Sequence, residues 1–166
     1  MESYWAFMNS APQDNLRVEA LRRLADLELE RSEDSFQKKL EKYNANPDIN
    51  QPFDAAKIKG VSYRKAIKLY EDAVALSESS GGVIDPQVLY QLAKAYEQIG
   101  DRQKAIGSLD RLLIAYPDIE NRDEVYFRRA ELLFSMNDYE SADEAYSQIM
   151  VMGPSSLFYE KALSKR

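Results

Sequence analysis

Apolar residues in this chain recur at intervals of three and four rather than in alternation. Leu89, Leu92 and Tyr96 fall on one stripe, and Ile106, Leu109, Leu112 and Leu113 fall on another. That period belongs to amphipathic helices that each bury one face. Between the stripes stand helix-end and turn signals, Gly100 and the Asn137-Asp138 pair. The pattern predicts an all-α chain of short helices joined by short turns.

The pattern also repeats. A small residue recurs in matching contexts: Ala66 in Tyr63-Arg64-Lys65-Ala66-Ile67, Ala105 in Arg102-Gln103-Lys104-Ala105-Ile106, and Ala142 in Tyr139-Glu140-Ser141-Ala142-Asp143. Thirty-nine residues separate the first two and thirty-seven the last two. Two distant segments, starting at Pro12 and Pro117, run in register. Arg17, Glu19 and Arg23 match Arg122, Glu124 and Arg128, Ala25 matches Ala130, and Asp26-Leu27 matches Glu131-Leu132. Alanine at such points lets two helices cross closely, so Ala105→Leu is expected to cost about 1–3 kcal/mol through overpacking. One helix pair cannot bury its face alone, and neighbouring pairs must stack.

The stretch Leu89-Tyr90-Gln91-Leu92-Ala93-Lys94-Ala95-Tyr96, followed by Gly100-Asp101, Ala105, Leu109 and Pro117, resembles the tetratricopeptide repeat. The resemblance covers nearly the whole chain. It departs from the pattern where Ala25, Ala93 and Ala130 replace the usual glycine, and no proline closes the first repeat after Ala73. Arg129 stands where Leu24 and Leu92 do, which weakens the third repeat. The resemblance implies an α-solenoid of antiparallel helix pairs wound as a right-handed superhelix. Residues 1–12 read as the tail of a preceding repeat, on Tyr4, Phe7 and Pro12. Residues 17–78 read as a first helix pair with an inserted loop at about 32–62, then 86–119 as a second repeat, 123–154 as a third, and 156–166 as the start of a further helix. The chain therefore reads as a fragment of a longer array; the alternative is a short protein with half-repeats as caps.

The insertion is the other irregular feature. Ala25 to Ala66 spans forty-one residues where Ala93 to Ala105 spans twelve, so about twenty-nine are extra. Ser35 to Tyr43 reads as a continuation of the first helix, and Asn44 to Gly60, with Pro47 and Pro52, reads as loop. Loops that long are usually functional or disordered. Lys38, Lys39, Lys42, Lys57 and Lys59 make it locally positive. It reads either as a docking element for an acidic partner or as a tolerated mobile insertion.

Composition narrows the function. The 166 residues are 45% hydrophobic, enough for a core, and contain no apolar run of membrane-spanning length. Met1-Glu2-Ser3-Tyr4-Trp5 lacks the features of a signal peptide. A net charge of −6 disfavours general nucleic-acid binding, which needs a basic footprint. Without Cys or His there is no Ser-His-Asp or Cys-His arrangement, and no imidazole or thiolate metal site. Glu131 with Asp101, and the cluster Asp138, Glu140, Asp143 and Glu144, offer carboxylates, but helix surfaces and first turns explain them. Ser80-Gly81-Gly82 has no following Lys-Ser/Thr and is no phosphate loop. The reading is a protein that is not an enzyme and holds no cofactor or metal.

In tetratricopeptide folds the first helix of each repeat lines the concave face. The resemblance therefore points to Glu19, Arg22, Asp26 and Leu29, then Gln87, Tyr90, Lys94 and Glu97, then Glu124, Phe127, Glu131 and Phe134. Aromatic side chains anchor interfaces, so Arg22, Asp26, Tyr90, Lys94, Glu97, Phe127, Glu131 and Phe134 are the candidate partner-binding set. Chaperone-binding members clamp a carboxylate with Lys, Arg and Asn here; acids intrude and asparagines are missing in this chain. An acidic-aromatic groove with isolated Arg22 and Lys94 suits an amphipathic or extended peptide. The implied function is a non-catalytic scaffold for other proteins or peptides. Homotypic assembly through Tyr4, Trp5 and Phe7, or Phe158 and Leu163, is the second reading. Tyr-Pro-Asp after the second helix, and Phe127-Arg128-Arg129-Ala130-Glu131-Leu132-Leu133-Phe134, are similar to bacterial cell-envelope tetratricopeptide proteins of outer-membrane assembly and cell-division types. That likeness implies a periplasmic or envelope setting.

Overall fold

The computed structural model describes Ala6 and residues 14–166. The reading of residues 1–12 as the tail of a helix, and the pairing role given to Tyr4, Trp5 and Phe7, lie outside the described residues. Among the described residues there are helices and no strand. In chain order they are α1 (Asp14–Ala45), α2 (Ala55–Ser62), α3 (Arg64–Ser79), α4 (Pro86–Gln98), α5 (Arg102–Ala115), α6 (Arg122–Ser135), α7 (Tyr139–Met152) and α8 (Tyr159–Lys165). The chain divides into two compact units, Met1–Asp101 and Arg102–Arg166.

In the first unit α1 packs along α3, and α3 packs on α4. Ala20, Leu21, Leu24 and Ala25 meet the stripe Ala66, Ile67, Leu69, Tyr70, Ala73 and Val74 in the core. Ala25 and Ala66 are both fully buried, as close helix crossing requires. Glu28, only 7% exposed, is compensated by Arg31 at 3.2 Å and by Lys65 of α3 at 3.6 Å. Asp85 caps α4 by accepting from the Gln87 amide at 2.8 Å, and Pro86 supplies the pre-set φ of the first turn.

The second unit is built on the α6–α7 pair, with α5 against α6 and α8 against α7. Its core is Ala130, Leu133, Ala142, Ala145, Tyr146, Ile149 and Ala162, flanked by Ile106, Tyr126, Phe127, Met150 and Phe158. A short turn makes α6 and α7 antiparallel. Asn137 takes φ 63° there, and the Asp138 amide donates back to the Leu133 carbonyl at 3.0 Å, closing α6. Gly100, with φ 80°, ends α4 in the same manner, the Asp101 amide reaching the Tyr96 carbonyl at 2.9 Å. Arg129, at the position expected to weaken the third repeat, is held by Asp110 of α5 at 2.5 Å. An ion pair thus stands where the other repeats use leucine.

The insertion differs from its expectation. α1 does continue through Ser35–Tyr43, as one unbroken helix ending at Ala45. The segment expected as loop from Asn44 to Gly60 is non-helical only over 46–54, and α2 follows. Asp54 starts α2 by accepting from the Lys57 amide at 3.0 Å. Phe53 sits 5.8 Å from the Phe36 ring and 5.4 Å from the Tyr43 ring. Lys59 lies 4.8 Å above the Phe36 ring and donates to Gln98 Oε1 of α4 at 2.9 Å. The buried Ser32 hydroxyl reaches the Ser62 carbonyl at 2.6 Å. The prolines and asparagines dominated the sequence pattern and hid this cap and aromatic anchor.

Candidate functional site

Register alone puts Arg22 and Asp26 one turn apart on α1, and the structure joins them. Arg22 Nη1 donates to Asp26 Oδ2 at 3.0 Å, and its Nε and Nη2 grip Glu19 at 3.0 and 2.7 Å. Asp85, at the start of α4, lies 3.9 Å from Arg22 Nε. Arg22 is therefore not the isolated cation the sequence suggested: three carboxylates surround it. The reason is tertiary, since α3 packing brings the α4 cap alongside α1. Hydrogen bonds from Arg22, and next from Arg23 at 2.9 Å, hold the Glu19 carboxyl down at about 2.

Asp26 has a second engagement. Its Oδ1 accepts from the Tyr70 hydroxyl of α3 at 2.5 Å. Burial first, and then this bond, push the Tyr70 phenol well above its ordinary range. In the second unit the Tyr146 hydroxyl of α7 donates to Glu131 Oε1 of α6, and burial followed by that bond raises this phenol as well. Two of the predicted partner-binding acids thus also bind their own helix pair. The signal was in the register. Asp26 and Glu131 each follow the small residue of the first helix, and Tyr70 and Tyr146 each stand one turn after that of the second.

Tyr90 and Lys94 of α4 come together, the ammonium lying 5.6 Å from the ring centroid. Both are half-buried, as is Glu97 one turn further on. A shallow concavity of about 320 Å³ on α1 is lined by Arg22, Arg23, Asp26, Leu27 and Glu30.

On α6 the aromatic positions separate. Phe127 packs inward, 5.1 Å from the Phe158 ring and 6.0 Å from the Tyr146 ring. Phe134 remains 43% exposed, edge-on to Tyr139 at 5.1 Å. Lys165 of α8 lies 5.7 Å over the Phe134 ring and 3.6 Å from Glu131, a cation that sequence reasoning missed. Phe134, Glu131 and Lys165 form one small cluster, an ion pair whose cation also lies over an apolar ring.

Two of the carboxylates weighed for catalysis have structural duties. Asp138 caps α7 by accepting from the Ser141 amide at 3.2 Å, and Asp143 pairs with Arg166 at 2.8 Å. Among the described residues no group of three His, Cys, Asp or Glu side chains is arranged to hold a metal ion, and no helix is long and apolar enough to cross a membrane.

Comparison with known proteins gives two family matches. A tetratricopeptide repeat model matches residues 87–118, and another of the same description matches residues 123–150. No curated protein matches the chain. Among solved structures it is similar to BtubC (BKLC) from P. vanneervenii, at 19% identity and a TM-score of 0.48, over 90% of this chain and 68% of that one. Two structures of a Podosopora anserina putative kinesin light chain with nearly identical TPR-like repeats match at 15% identity and a TM-score of 0.48, over 94% of this chain and 74% of theirs. Helix pairs in series, with no strand among the described residues, are the fold class of an α-solenoid.

Proposed function

We propose that this chain, which carries tetratricopeptide repeats at residues 87–118 and 123–150, is a non-catalytic scaffold that holds a partner protein or peptide on its first-helix faces. Such repeats are protein-interaction scaffolds; the assignment to these faces is our reading. The observation that carries it is Phe134, a 43% exposed aromatic ring on a first helix, with Glu131 and Lys165 beside it. An apolar anchor with opposite charges at its rim is the composition of an interface centre. In the first unit the Tyr90–Lys94 stack, with Glu97 on the same helix, supplies a similar combination. Asp26, Arg22 and Phe127 contribute to the face chiefly by holding its shape, since each is engaged within its own unit.

The test is affinity capture with the chain beside a Lys94→Glu, Phe134→Ala variant, with circular dichroism melting to show that both fold. Phe127→Ala is unsuitable because it removes packing from α7 and α8. A protein bound by the first and lost by the second supports the faces. A protein bound equally by both overturns the assignment to them.

Homotypic assembly stays as a second reading, favoured by Leu157 at 88% exposure and Leu163 at 50%. Phe158 belongs to it less, being packed on Phe127. A concentration-dependent dimer in sedimentation, abolished by Leu157→Ser with Leu163→Ser, supports it; a monomer at all concentrations overturns it.

A further inference from the structure

We propose that the outer part of α1 is a docking surface for an acidic peptide segment of a partner protein. Lys38 and Lys42 stand one helical turn apart and Lys39 lies next to them around the helix, so the three make one exposed strip. None of the three has a carboxylate partner among the described residues. Other cations of the same unit do: Arg22, Arg23, Arg31, Lys65 and Lys68 each contact an acid within 4 Å. In a chain of net charge −6, three such lysines lie side by side on one exposed face of α1. Lys57, exposed on α2, adds to the local positive charge.

The strip is held in place from behind. Phe36, Leu40 and Tyr43 occupy the other side of the helix and are half-buried, with Phe53 stacked on the two rings at 5.8 and 5.4 Å. The lysines are thereby displayed on an ordered helix, and a partner binding there spends little free energy on ordering the site.

Charge complementarity selects the occupant. Three ammonium groups within about a turn and a half match a short run of Asp or Glu. Asp34 and Glu41, exposed on the same helix, bound the strip, and the negative charge of the remaining chain repels a long polyanion. Both features favour a short acidic peptide over a nucleic acid or an anionic membrane. The strip is separate from the first-helix faces, since Lys38 stands sixteen residues beyond Arg22, roughly 24 Å along the helix. Either proposal can fail without the other.

The experiment is fluorescence anisotropy with a labelled oligoglutamate peptide, at low and physiological ionic strength. The unaltered chain is compared with Lys38→Gln, Lys39→Gln, Lys42→Gln, and with Arg102→Gln, Lys104→Gln, Arg111→Gln on exposed positions of α5 as a charge-matched control. The expected result is saturable, salt-weakened binding that falls roughly tenfold in the α1 variant and is kept in the control. A charge-retaining Lys38→Arg, Lys39→Arg, Lys42→Arg variant should bind as the unaltered chain does. No binding, or an equal loss in both Gln variants, overturns the proposal. So does tighter binding of oligothymidine or of phosphatidylserine vesicles than of the peptide.

Discussion

Tyr70 on Asp26 and Tyr146 on Glu131 are the same device at matching places in two helix pairs. A buried ring fills the helix interface while its hydroxyl reaches a carboxylate at the rim, so neither phenol is left without a partner. The matching positions in between carry Lys94 and Leu109, a pairing that cannot form this bond. Tyr146→Phe removes one bond to an acceptor that is 40% exposed and keeps Lys165. Water can replace the lost donor, so the expected cost is about 1 kcal/mol by thermal or urea unfolding, at the low end for charged acceptors. Gly153 is a second residue whose chemistry is forced. It leaves α7 at φ 89° and ψ 176°, a region essentially closed to other residues. A Cβ built there meets nothing within 4 Å, so the penalty of Gly153→Ala is one of backbone alone, about 1–3 kcal/mol by urea unfolding. The glycine could be read from sequence as a helix stop; that it needs positive φ follows only from the path to α8.

At the scale of the element, the apolar stripes and small residues carried most of the information. Ala66, Ala105 and Ala142 are 0, 0 and 1% exposed, and their spacing alone located the second helices. Such positions are legible because a close crossing tolerates one side-chain size. Ala142→Leu should accordingly cost about 1–3 kcal/mol by overpacking the α6–α7 crossing, read in urea unfolding. The insertion was harder to read. α2 has eight residues, none of them buried, so it has no apolar stripe of its own. Its order comes from Phe53, outside the helix, meeting Phe36 and Tyr43 of α1. Phe53→Ala should therefore act locally. Amide exchange over 55–62 is expected to speed up about tenfold, with α6 and α7 unchanged. Equal acceleration in all helices would show that α2 is not independently anchored.

For the whole molecule, the candidate partner-binding residues were legible as positions but not as states. Register placed Arg22 on its face; that Asp85, sixty-three residues later in the chain, would stand beside it depends on tertiary packing. The same packing sets the response to pH. Glu19, held at about 2 against an ordinary 4.5, is depressed in the folded state. Its contribution is present above pH 4.5 and is lost as pH falls from there towards 2; because Glu19 is largely solvated, that contribution is small. Tyr63, Tyr70, Tyr96 and Tyr146 are raised above their ordinary 10, chiefly by burial. Their contribution is present below pH 10 and is lost as pH rises above it. With no histidine in the chain, no side chain of ordinary pKa titrates around neutrality. Urea unfolding across pH should therefore give a flat plateau from about pH 5 to 9, with stability falling on either side. Glu19→Gln should flatten part of the acid limb. Tyr70, Tyr96 and Tyr146 carry the largest of these shifts, so part of the phenolate absorbance should rise together with the unfolding transition at high pH. A slope of stability between pH 6 and 8 would contradict the account, because it would require a proton-binding group that neither the composition nor the burial supplies.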